Sequence, residues 1–237
     1  VAEQLGIGGW ARAAAFLYTS VALALAGWWI DVRLITALAI VPFAQMLDTG
    51  TEYFFAAYVF YSPESTLTIL QMAALIALAV LLSRGWADRD ARHARVLSVL
   101  ALVVLNLAAL VGSLWGDVVG AHVWGPRATL GSDVPWADRR AAMELFEETA
   151  LVITEGAYSI GWAILLVALI LWAARAHHRG LFNTALTFGF IHAYTQLFES
   201  FGDEPLAYVI GGLAAIPLAW GMWWLNRRFT ADAPPVS

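Results

Sequence analysis

Seven apolar stretches, each nearly long enough to cross a hydrocarbon core of about 30 Å, run near residues 11–30, 34–60, 66–83, 95–115, 146–173, 181–200 and 206–225. Backbone polar groups in lipid must be satisfied within the chain, so such stretches are expected to be helices packed on one another. The fold class expected is therefore all-α: a polytopic integral membrane bundle with seven transmembrane helices, multi-pass in the cell (plasma) membrane. One domain covers 1–230, and 231–237 reads as a disordered tail. Composition agrees, since 61% of the 237 residues are hydrophobic and 13% are charged, where a soluble domain carries about a quarter. No cleavable signal stretch stands out, and the first span is expected to act as its own insertion signal.

Orientation follows from the arginines, which supply all thirteen basic residues. Cytoplasmic loops collect positive charge. With the C-terminus cytoplasmic and the N-terminus out, the inner loops hold nine of them, and the outer side keeps Arg12, Arg127, Arg139 and Arg140. The one long connection, about 116–140, then forms a structured outer loop with Trp124 and Trp136. A net charge of −5 gives no reason to expect nucleic acid as a partner; membrane lipids and a hydrophobic small molecule are the expected ones.

Carboxylates sit where they cost most. An ionised one at mid-bilayer costs at least about 2.5–3.5 kcal/mol, so those inside spans are expected to face the bundle interior. Helical spacing places Glu144, Glu148, Glu155 and Trp162 on one stripe. Asp48 and Glu52 lie four apart with Tyr53 beside them, His192, Gln196 and Glu199 share a face, and Asn106 and Asp117 share another. Most of these fall in the outer half of the bundle.

The expected site is therefore a chamber of Asp48, Glu52, Glu148, Glu155, His192 and Glu199, supported by Asn106, Asp117, Gln196 and Tyr53. Glu148, Glu155 and His192 are its catalytic candidates, because burial raises a carboxyl pKa and leaves one Glu as acid beside its conjugate base. The same six residues would suit a divalent metal ion, Zn, Fe or Mn. Either way the expected function is a metal-dependent or acid–base membrane enzyme acting on a lipid or isoprenoid substrate. The alternatives are a proton- or cation-coupled transporter or channel using the same carboxylates, and a non-catalytic subunit of a larger membrane complex or homo-oligomer.

Several chemistries are excluded or disfavoured. Cysteine is absent, which removes disulfides and thiolate sites, and lysine is absent, which removes any Lys-linked retinal although a seven-helix plan is similar to that of microbial rhodopsins. Haem is not expected, because only His192 lies within a span and a bis-histidine site needs two at like depth. Glu147-Glu148 with Phe188-x-x-x-His192 resembles, in fragments, the membrane-embedded prenyl-protein proteases. Those carry Arg four positions after the second Glu, where this chain has Val152, and need a further His that is missing.

Overall fold

The computed structural model describes residues 9–54, 57–83, 88–131, 133–176, 178–201 and 204–231. Of the expected disordered tail, all but Ala231 lies outside them. The molecule is mostly helical and divides into two units, Val1–Ser159 and Ile160–Ser237. Among the described residues three helices are long and apolar enough to cross a membrane: Trp10–Trp29, Asp88–Trp115 and Glu155–Arg175.

The first unit begins with α1 (Gly9–Trp29), α2 (Arg33–Leu38) and α3 (Ile40–Gln45). The stretch 34–60, expected as one membrane helix, is not one. Pro42 has no N–H to offer the carbonyl four residues back, and its ring crowds that carbonyl, so the ladder breaks at Ala39 between α2 and α3. The chain then turns through Asp48, whose φ of 59° is left-handed, and enters a hairpin of β1 (Gly50–Phe54) and β2 (Ala57–Tyr61). The register pairs Thr51 with Phe60 and Tyr53 with Tyr58. Threonine and aromatic residues suit a pleated strand better than a helix.

Next come α4 (Ser65–Ser83) and α5 (Asp88–Trp115), which pack along one another, with α2 and α3 against them and α1 against α2 and α3. Small residues make that possible. Ala101 and Met72 are fully buried, and with Ile40 and Ala44 they form an apolar core flanked by Phe43, Leu75 and Leu105. At one end of this body His93 is buried. Its Nδ1 meets the Thr36 hydroxyl at 2.7 Å and its Nε2 meets Asp31 Oδ1 at 3.0 Å. Arg89 stands 3.5 Å from Asp31, and Trp28 Nε1 donates to Asp90 at 2.6 Å. The opposite end carries Asp48 and the hairpin.

A second expectation also fails. The helical pattern running from Trp136 to the end of the fifth stretch is interrupted. Between α5 and the next long helix lie β3 (Asp117–Val118), α6 (Pro126–Thr129), α7 (Trp136–Glu147) and β4 (Val152–Ile153). β4 pairs antiparallel with β3, Asp117 opposite Ile153. Helix α8 (Glu155–Arg175) then starts afresh, with the Thr154 hydroxyl accepting the Ala157 N–H at 3.3 Å as an N-terminal cap. Glu155 is thus the first residue of a helix, where the helix dipole favours negative charge, and it is exposed.

The second unit holds the rest of α8 with α9 (Arg179–Phe201) and α10 (Pro205–Ala231). Gly211 of α10 lets the rings of Tyr194 and Phe198 approach, and the Tyr194 hydroxyl donates to the Gly211 carbonyl. By contrast, a Cβ built on Gly156, Gly161, Gly212 or Gly221 meets nothing within 4 Å, so these glycines have open faces among the described residues.

Candidate functional site

The larger gathering of polar residues lies at the Asp48 end of the first unit, and it is organised by Glu64. This side chain is only 3% exposed. It follows the Ser62-Pro63 turn that starts α4, and its two oxygens accept the backbone N–H groups of Gly120 at 2.9 Å and His122 at 3.1 Å. A carboxylate buried this deeply needs such partners, since leaving it bare would cost several kcal/mol (order of magnitude). Gly120 takes a φ of 89°, and a Cβ there would run into the Trp124 ring, so only glycine fits this turn.

The turn held by Glu64 presents His122. Its Nε2 lies 3.3 Å from Asp48 Oδ2, and Arg12 Nη2 reaches the same oxygen at 2.7 Å. The hydrogen bond from His122, then the Arg12 charge, hold the Asp48 carboxyl below its ordinary value, against the opposing effect of burial. Beneath this group runs a chain of buried hydroxyls. Thr49 and Thr68 share a 2.6 Å bond, Ser62 meets Thr68 at 2.8 Å, and Thr68 Oγ1 donates to the Glu64 carbonyl at 3.3 Å.

Asp117 forms a third knot. Its Oδ2 accepts the Thr66 N–H at 2.6 Å and the Tyr158 hydroxyl at 3.3 Å, while that hydroxyl lies 2.5 Å from Thr66 Oγ1. Two cavities open here. One of about 640 Å³ is bounded by Asp48, His122, Trp136 and the arginines Arg127, Arg139 and Arg140. The other, of about 870 Å³, is bounded by Asp117, Glu147, Glu155 and apolar residues including Val111, Trp115, Val118 and Ile153. They share Tyr61, Pro63, Arg127 and Met143 as walls.

Of the residues expected from sequence, Asp48 borders the smaller cavity, and Asp117 and Glu155 border the larger. Glu148 is exposed beside the end of α7. The backbones of Glu52 and Tyr53 lie in β1, and their side chains fall outside the described residues. Asn106 is buried and donates to Leu102 of its own helix at 2.8 Å. His192, Gln196 and Glu199 belong to the second unit. There His192 is buried edge-on to Trp162, ring centroids 4.7 Å apart, while Glu199 is exposed.

No group of three His, Asp or Glu side chains among the described residues is placed to hold a metal ion, so the expected metal shell is not assembled there. Asp48 Oδ2 is engaged by both Arg12 and His122. Sequence reasoning missed Glu64, Arg12 and His122 as partners. Glu64 lies in a Ser-Pro-Glu-Ser turn, and nothing local in the chain announces that residues 120–122 fold back onto it. Comparisons with protein-family models, with curated proteins and with solved structures return no match for this chain.

Proposed function

We propose that the chain is a multi-pass protein of the cell membrane and that the Asp48 end of its first unit is the acid–base centre of an enzyme acting on a hydrophobic substrate. In this reading the chain crosses seven times, N-terminus out and C-terminus cytoplasmic. The second crossing is the short pair α2–α3, about 20 Å at 1.5 Å per residue, in place of one continuous helix. The arginine bias supports the orientation. The Asp48 end then faces outward, and the His93 end faces the cytoplasm.

One observation carries the assignment of activity: the Asp48–His122 contact borders a cavity that shares its walls with a larger, largely apolar one. Imidazole is the side chain suited to taking and returning a proton near neutral pH. Asp48, whose Oδ2 also accepts Arg12, fixes the orientation of that ring. Glu64 fixes the backbone beneath it. A lipid-like substrate would lie along Val111, Trp115, Val118 and Ile153 with its reactive group near His122. The chemistry proposed is acid–base, because an imidazole and a carboxylate already in contact border the cavity.

A panel of lipid and isoprenoid esters, phosphates and alcohols incubated with the detergent-purified chain tests the reading by product analysis. Turnover of one class should fall about 10²-fold or more in His122→Gln and in Asp48→Asn. A panel left unconverted, or turnover indifferent to both changes, sinks it. The open glycine faces of α8 and α10 favour a second reading, contact with partner subunits or another copy of the chain, for which co-purification in a stable assembly is the test.

A further inference from the structure

A further cavity lies at the His93 end of the first unit and takes no part in the proposed chemistry. It measures about 420 Å³ and is walled by α1, α2, α4 and α5. Ligand sites run to roughly 300–1,000 Å³, so the space is large enough to house one. Small side chains make the room: Ala79 and Ala94 border it and are both buried.

Three polar side chains also border the cavity, Trp28, Thr36 and His93, and the donor each carries is engaged elsewhere. Trp28 Nε1 donates to Asp90 at 2.6 Å. The Asp31 carboxylate can only accept, so His93 Nε2 donates to it at 3.0 Å, which leaves Nδ1 to accept the Thr36 hydroxyl at 2.7 Å. Hydrocarbon and ring faces are what remain for an occupant. Water needs about two to four polar partners and is not held by such a lining. A sugar, a nucleotide or an anion would find no free donor there, whereas an alkyl chain needs none.

The cavity continues a surface that already has the character of a lipid-facing one. Among the described residues α1 and α5 are two of the three helices long and apolar enough to cross a membrane. Along α1, Leu17, Val21 and Leu25 recur four apart and are 42%, 47% and 57% exposed, and this stripe runs into the cavity at Leu25. Leu78 of α4, exposed as well, borders it too. Just beyond Trp28 the apolar surface ends at the exposed pair of Asp31 and Arg89. In a bilayer that pair would stand at headgroup level, with the cavity at the depth of the acyl chains.

We infer that this cavity holds an acyl chain of a phospholipid from the adjoining leaflet, the cytoplasmic one in the proposed topology. The inference rests on reading the chain as a membrane protein and is independent of the acid–base centre. A ligand bound by the folded state alone stabilises it by mass action, so the held lipid would support the packing of α1 and α2 on α4 and α5.

The full chain in phosphatidylcholine nanodiscs, doped with a phosphatidylcholine that carries a diazirine midway along one acyl chain, supplies the test. After illumination, labelled residues are mapped by mass spectrometry. Leu75 and Leu97, half-buried walls of the cavity, should be labelled several-fold more than the exposed Leu17 and Val21 outside it. Ala79→Leu should fill the space and abolish that excess while Leu17 and Val21 react as before. Labelling of Leu75 and Leu97 at or below the level of Leu17 and Val21 in the unaltered chain overturns the inference, leaving the cavity empty or filled by another protein segment. An excess that survives Ala79→Leu overturns it too. If none of the four residues is labelled, the membrane reading fails with it.

Discussion

Glu64 holds two backbone N–H groups that have no other described acceptor, and its replacement isolates what that is worth. Glu64→Gln keeps the shape but turns an NH₂ toward one of those N–H groups, leaving a buried donor unmatched at a cost of about 1–3 kcal/mol. Thermal unfolding in detergent should show a lowered midpoint, and the Asp48–His122 contact should loosen with the turn. Acid sensitivity is the second residue-scale prediction. Asp48 titrates below its ordinary value of 3.8 in the folded chain. Its contribution to stability is therefore present above that value and is lost as pH falls through the lowered one. Asp31 at the other end behaves likewise, held down first by His93 and then by the charges of Arg89 and Arg92. His122→Gln should bring Asp48 nearer its ordinary value, so the drop in melting temperature between about pH 5 and 3 becomes shallower than in the unaltered chain. An unchanged or steeper drop would count against the His122 bond as the main cause. At this scale the sequence made Asp48 legible, because a charge in an apolar stretch is conspicuous. Arg12, Glu64 and His122 were hidden, because their roles arise from contacts across 36, 56 and 74 positions of chain.

At the scale of elements, hydropathy registers how gladly a stretch leaves water and is blind to the conformation in which it does so. Residues 34–60 are apolar over most of their length, yet Pro42 and the run of aromatic residues after Gly50 divide them into two short helices and a hairpin. The fifth stretch was misjudged for the same reason. Thr154-Glu155 is a helix start, and Val152-Ile153 has the β-branched character of a strand. The long helices α1, α4, α5, α9 and α10 were legible, since no proline or turn residue cuts them before a bilayer's length, Pro217 of α10 apart. Gly112 of α5 shows how closely such helices fit. A Cβ there would stand 2.6 Å from the Tyr158 ring, which is pinned by Thr66 and Asp117. Gly112→Ala should cost about 1–3 kcal/mol through overpacking and push the Tyr158 hydroxyl away from Thr66. Thermal unfolding measures the first effect. If the midpoint holds, the close approach is not rigid.

The whole molecule makes its orientation testable at little cost, because the chain contains no cysteine and any single one introduced is unique. With the proposed topology, Thr129→Cys should react with a membrane-impermeant maleimide in intact cells, and His178→Cys should react only after permeabilisation. Labelling in the opposite sense would reverse the assignment of sides and move the Asp48 end to the cytoplasm.

Between the two polar ends of the first unit lies the plug of Ile40, Ala44, Met72 and Ala101, with no titratable group among them. Moving one elementary charge across 100 mV takes about 2.3 kcal/mol, and hydrocarbon offers a proton no foothold on the way. On the proposed reading, a centre at the Asp48 end would borrow protons from, and return them to, a single compartment. Its turnover would then neither drain the membrane's electrical gradient nor respond to it, like an insulated appliance on one wall.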